Sequence, residues 1–205
     1  MYYTATPNLP GGRLIEDLET FDLDSISPKQ RNLEKCIHAL MFLVYQGLDE
    51  AHNIVTPFSW PSSTCFGGPP QLPLEASGIM ADACYIHALV HRREGTIPGE
   101  FGSGFNNCRF WLQSTGTHAA FPALARAFTT HQLSGPGAQL PQHAAEYCAA
   151  VAKRGWQAGE FVDLCERALA CGDASFVQAC EAVVRLEWRV LLAHLAGRWR
   201  AAGDA

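Results

Sequence analysis

One helical stretch carries the side chains best suited to chemistry. In Gly78 to Glu94 (GIMADACYIHALVHRRE), His87, His91 and Glu94 are spaced i, i+4 and i+7. They therefore share one helix face. Two imidazoles one turn apart can reach one divalent metal ion, and a carboxylate can complete the ligand set. Histidine titrates near neutrality, so the same three residues could instead transfer protons. An ordinary structural role also stays open, because His and Arg suit the C-terminal end of a helix.

Three other residues could join this face. His52 lies in a polar cluster on a short helix and could supply a third metal ligand. His118 follows Thr117 at a predicted helix start and could face the same pocket. Cys84 stands three residues before His87, but its apolar neighbours favour a buried structural thiol. Neither HExxH nor GxSxG occurs, so the chain lacks the metalloprotease and serine-hydrolase signatures.

A glycine-rich loop follows this helix, between Gly95 and Gly104. Bare backbone N–H groups at the start of a helix can bind an anion, and nearby arginines could clamp a phosphate or carboxylate. The alternative is a connector whose arginines pair with Glu94 and Glu100. The expected substrate-binding residues are Arg92, Arg93, Asn107, Arg109, Trp111 and His118.

The segments AxYIHALVHRREG and NNCRFWLQSTGTHAAF, with the later FVDLCE, resemble a group of small helical microbial proteins without a settled activity. That group shares a His-x3-His-Arg-Arg-Glu helix, then an Asn/Arg/Trp helix and a His element. The chain differs at Phe110, where Tyr is typical, and at Ala119, where Pro is expected; its loop between the helices is also longer. The resemblance supports a site at the matching residues: His87, His91, Arg92, Arg93, Glu94, Asn107, Arg109, Trp111 and His118.

The elements that position these residues all look helical. The 205 residues are 48% apolar, enough for one core. Apolar residues recur at helical spacing, and alternating β-branched runs are absent. We expect a single all-α domain of seven or eight helices over residues 27–205, after an arm at 1–26. The Pro/Gly-rich segment near 134–141 leaves a division into two subdomains open. A Pro/Gly-rich loop from Thr56 to about Ser77 is either functional or a tolerated insertion.

Composition excludes several classes of function. Asp and Glu total 20 against 15 Lys and Arg, for a net charge of −5, which argues against nucleic-acid binding. No run of about 20 residues is apolar enough to span a bilayer. The eight cysteines include no CxxC pair, so we expect reduced thiols and a cytoplasmic location.

These patterns predict a small cytosolic enzyme of lyase, isomerase or hydrolase type. It would use His87, His91 and Glu94 on a small anionic substrate, either by acid–base chemistry or through one divalent metal ion held by those residues. No organic cofactor is expected, because no motif for one appears. Homo-oligomer formation stays open. The alternative is a non-catalytic helical binding protein.

Overall fold

The computed structural model describes residues 26–60, 77–97, 104–131 and 142–203, and 87% of these are helical. No strand occurs within these ranges, so the predicted all-α fold is confirmed. None of the helices described there is long and apolar enough to cross a membrane. The helices are α1 Pro28–Val44, α2 Leu48–Ser59, α3 Ser77–Glu94, α4 Gly104–Thr115, α5 Phe121–His131, α6 Gln142–Arg154, α7 Ala158–Cys171 and α8 Ala174–Gly203.

Helix α3 lies at the centre of the fold, in contact with α1, α2 and α4. Every residue from Asp82 to Arg93 is buried, so this stretch has no solvent-facing side. A helix buried all round must find partners for each polar group it carries. Several polar residues of α3 are held by side chains from other parts of the fold, among them Asp82, His87 and Arg92.

The long helix α8 closes the opposite side of the core, against α1, α5 and α7. Asp173 caps it by accepting the backbone N–H groups of Ser175 and Phe176 at 2.8 and 3.2 Å. Helical spacing predicts a buried stripe on this helix, formed by Val177, Cys180, Val184, Trp188, Leu191 and Leu195. Five of these residues are buried, but Trp188 is only partly buried and Glu187 is fully buried. An acidic residue thus occupies a core position of α8.

Two helix boundaries differ from the predicted ones. Helix α2 continues past Val55 to Ser59 and contains Pro57, whose missing N–H removes just one backbone bond near the helix end. Helix α5 begins at Phe121 rather than near Thr117. Pro122 then lies in its first turn, where a proline costs nothing.

Several expectations lie outside the described residues. They are the arm (residues 1–25 of it), most of the Pro/Gly-rich loop (61–76), the middle of the glycine-rich loop (98–103) and the subdomain break near 134–141.

The ends of α3 and α4 meet at a backbone contact that only glycine permits. A Cβ atom built on Gly104 would lie 2.3 Å from the backbone nitrogen of Gly95 and 2.8 Å from the carbonyl oxygen of His91. Both are backbone atoms and cannot rotate away. The start of α4 therefore lies directly against the last turn of α3.

We expect Gly104→Ala to lower the free energy of unfolding by about 1–3 kcal/mol, because the added methyl group forces the two backbones apart. Gly197→Ala is the matched control. A Cβ there meets nothing within 4 Å, so the better helix propensity of alanine should stabilise α8 by up to about 1 kcal/mol. Thermal unfolding of both variants measures the difference. A Gly104→Ala protein as stable as wild type would contradict the close contact.

Candidate metal centre

Three imidazoles meet where α2 lies against α3. His52 comes from α2, and His87 and His91 come from successive turns of α3. One ring nitrogen from each lies within 4.8 Å of the others. Ring centroids are 4.7 Å apart for His52 and His87, 4.9 Å for His87 and His91, and 5.4 Å for His52 and His91. The face of α3 singled out in the sequence thus meets the third histidine.

The ring of His87 is oriented by Ser59, the last residue of α2. His87 Nδ1 lies 3.2 Å from Ser59 Oγ. The Ser59 hydroxyl donates its single hydrogen to the carbonyl of Val55 at 2.8 Å, so toward His87 it can only accept. This arrangement assigns the ring proton to Nδ1. His87 Nε2 keeps its lone pair and is buried without a hydrogen-bond partner among the described residues.

His91 is oriented in the same sense by Glu94. Its Nδ1 lies 2.5 Å from Glu94 Oε2. A carboxylate accepts, so Nδ1–H donates and Nε2 is left for another ligand. Glu94 therefore contacts the outer nitrogen of His91.

Thr56 plays the corresponding part for His52. Its hydroxyl donates to the carbonyl of His52 at 2.7 Å and lies 3.4 Å from His52 Nδ1. Since the hydroxyl hydrogen is already used, Nδ1–H of His52 donates to Thr56 across this longer contact. All three histidines thus share one pattern, with Nδ1 bound to a protein oxygen and Nε2 available.

Burial favours the neutral form of His87 and His52. The side chain of His87 is 2% exposed, and its burial, with His91 and His52 beside it, lowers its pKa to about 2. Burial, followed by the neighbouring His91, also lowers the pKa of His52. A neutral imidazole is the form that binds a metal ion.

Aromatic and thiol side chains fix the deep side of the cluster. Trp111 of α4 stacks on His87 with ring centroids 3.9 Å apart and an interplanar angle of 18°. Cys84 donates its thiol hydrogen to the Ser59 carbonyl at 3.4 Å, and burial raises its pKa to about 12. Cys84 is therefore an uncharged packing residue, as the sequence favoured.

The arginines expected at the substrate are bound elsewhere in the protein. Arg92 forms a buried ion pair with Glu187. Arg109 donates to Asp163 at 2.7 Å and also to Glu166, both on α7. Each guanidinium is thus engaged by a carboxylate. Arg93, also expected at the substrate, is buried near the end of α3, and Asn107 is exposed on α4.

His118 belongs to a second buried group, with Asp82 and His194. His118 Nδ1 accepts the backbone N–H of Ala120 at 3.1 Å, so Nε2 carries the proton and donates to Asp82 Oδ1 at 3.0 Å. His194 Nε2 lies 3.4 Å from the same oxygen, and Arg198 donates to Asp82 Oδ2. A guanidinium already balances this carboxylate. The group is therefore a polar network joining α3, the start of α5, and α8.

Sequence reasoning missed four residues that organise these sites. Thr56 and Ser59 fall in the segment that the sequence predicts as a Pro/Gly-rich loop, whereas the structure places them in the last turns of α2. Glu187 falls within the apolar stripe of α8, and an acidic residue at such a position indicates a buried charge. Asp82 gave no comparable signal, because its partners lie on helices far along the chain.

Comparison with known proteins assigns the chain to no family. No family model matches the sequence, and no curated protein or solved structure is significantly similar to it. A functional proposal therefore rests on the geometry of the histidine cluster.

The Asp82 network should make stability depend on pH. Burial alone would raise the pKa of Asp82, but the contacts from His118 and His194 and the charge of Arg198 outweigh it, so its pKa lies below the ordinary value. The stabilisation is then complete above about pH 4 and is lost as the pH falls through the lower pKa of the folded protein. We expect Asp82→Asn to lower the free energy of unfolding at pH 7 by about 2–4 kcal/mol.

Urea unfolding at several pH values measures this effect. The difference between wild type and Asp82→Asn should shrink below pH 4. Asp163→Asn, which removes one partner of an exposed ion pair, should cost only about 0–1 kcal/mol. Equal losses for the two variants at pH 7 would contradict the buried network.

Proposed function

We propose that the protein is a metal-dependent enzyme that holds one zinc ion on Nε2 of His52, His87 and His91. The observation that carries this proposal is the shared hydrogen-bond pattern of the three rings. In each ring Nδ1 lies within hydrogen-bond distance of an oxygen of Thr56, Ser59 or Glu94, at 3.4, 3.2 and 2.5 Å. Metal-binding histidines are oriented in this way, because the outer hydrogen bond fixes both the tautomer and the ring plane. The unpartnered, buried Nε2 of His87 supports the same assignment.

The spacing of the rings suits a small ion. Zinc–nitrogen distances of 2.0–2.1 Å in a tetrahedral site place the ligand nitrogens about 3.3 Å apart. One ring nitrogen from each histidine lies within 4.8 Å of the others, so modest side-chain rotations would bring the three nitrogens to the spacing that zinc requires. In this proposal Glu94 orients His91 through its outer nitrogen instead of binding the metal.

Three protein ligands favour a catalytic centre over a structural one. Structural zinc sites have four protein ligands, whereas catalytic sites have three and keep one position open. A zinc ion held in this way polarises a carbonyl and activates water for attack, which suits hydrolase or lyase chemistry. The described arginines add no support for an anionic substrate, because Arg92 and Arg109 are paired with carboxylates. The proposed reaction class therefore rests on the histidines.

Zinc titration of the metal-free, untagged protein tests the site. We expect one zinc per chain. His52→Ala and His91→Ala should each weaken binding by more than about 100-fold, since loss of an outer partner alone costs 10–100-fold. His52 is half-buried, so its variant should fold even if a variant of a fully buried histidine does not.

Two histidine variants serve as matched controls. His143→Ala removes an exposed imidazole, and His194→Ala removes a member of the Asp82 group. Both proteins should bind zinc like wild type. If His194→Ala lost the zinc while His52→Ala kept it, the metal would belong to the Asp82 group and this proposal would be wrong.

Catalysis is tested with a neutral activated ester, p-nitrophenyl acetate. The zinc-loaded protein should hydrolyse it at least about tenfold faster than the zinc-free protein, because the open position supplies activated water. A chelator should remove this increment, and the His91→Ala protein should lack it. Stoichiometric zinc binding without any rate increase would instead favour the non-catalytic binding protein.

A further inference from the structure

An aromatic strip, formed by Trp60, Phe110 and Trp111, leads from the protein surface to the histidine cluster. Phe110 is 47% exposed and is the one exposed large hydrophobic side chain in the part of the chain that the structure describes. Its ring lies 5.2 Å from Trp111 and 6.1 Å from Trp60, and the two tryptophans are 4.7 Å apart. The three rings are thus in contact with one another.

The strip joins the proposed zinc site at two points. Trp111 stacks on His87 at 3.9 Å. Trp60 directly follows Ser59, the residue that orients His87. The inner end of the strip therefore lies beside His87, one of the three proposed zinc ligands.

The charges beside the strip disfavour an anion. Arg109 precedes Phe110 in the chain and donates to both Asp163 and Glu166. Arg109, Asp163 and Glu166 together carry a net charge of −1. A carboxylate or phosphate would meet net repulsion there, whereas an uncharged ring would not.

We propose, resting on the zinc site above, that the strip binds an uncharged aromatic group of the substrate and directs an attached polar group to the zinc. Ligand pockets are lined mainly by aromatic and apolar side chains, with a few polar groups that fix orientation. Rings in edge-to-face or offset contact gain about 0.5–1.5 kcal/mol beyond their buried area. Exposed Phe110 is the face on which an incoming ring stacks. The substrate class is then an aryl ester, aryl amide or related neutral aryl compound.

Two hydroxamates that share one zinc-binding group test this proposal. Benzohydroxamate carries a phenyl ring and acetohydroxamate a methyl group. Their dissociation constants are measured on the zinc-loaded wild-type, Phe110→Ser and Phe110→Tyr proteins. We expect wild type to prefer the aryl compound by at least about tenfold. Phe110→Ser should reduce this preference by about 2–10-fold, which corresponds to one aromatic contact.

The control variant and the zinc titration separate the ways in which the experiment can fail. Phe110→Tyr keeps the ring and should keep the preference, and zinc affinity should be equal in all three proteins. Failure to bind zinc overturns the proposed function, and this inference with it. Zinc binding with no aryl preference, or with a preference that Phe110→Ser leaves intact, overturns this inference alone. If the Phe110→Ser protein keeps the aryl preference but changes from dimer to monomer in size-exclusion chromatography, Phe110 belongs to a contact between two copies of the chain.

Discussion

The hydrogen bond between His87 Nδ1 and Ser59 Oγ is the contact on which the candidate centre depends. Ser59 closes α2, and its hydroxyl is directed by the carbonyl of Val55. Its own carbonyl accepts the thiol of Cys84. One residue of α2 thus takes two side-chain bonds from α3. This junction sets how α2 lies on α3, and the position of His52 relative to the two other histidines follows from it.

A buried polar network holds the opposite face of α3 in place. Glu187 of α8 accepts from Tyr85 at 2.5 Å and from Arg92, and Trp156 donates to the Tyr85 hydroxyl at 3.2 Å. Burying an ion pair costs desolvation free energy, and removing only one of its two partners strongly destabilises the folded protein. Their value here is positional, because they fix the rotation of α3 about its axis. That rotation directs His87 and His91 toward α2.

The helical part of the fold and one face of the site could be predicted from the sequence because both are local properties. A period of 3.6 residues places His87, His91 and Glu94 together whatever else the chain does. The partners of these residues depend on how helices pack, which no local period encodes. Arg109 illustrates this limit, because its carboxylates lie 54 and 57 residues further along the chain. Ser59 illustrates a second limit, because the Pro/Gly-rich composition after Val55 predicts a loop, whereas the helix continues through Pro57 to Ser59.

The tautomers of the three histidines test the central claim most directly. Two-bond proton–nitrogen correlation spectra of the zinc-free protein distinguish Nδ1–H from Nε2–H imidazoles. The hydrogen bonds to Thr56, Ser59 and Glu94 predict Nδ1–H for His52, His87 and His91, and zinc should then shift the Nε2 resonance of each. His118, which accepts a backbone N–H at Nδ1, should show the opposite tautomer and no zinc-dependent shift. An Nε2–H tautomer at His87, or a zinc-induced shift at His118 in place of His87, would contradict the account.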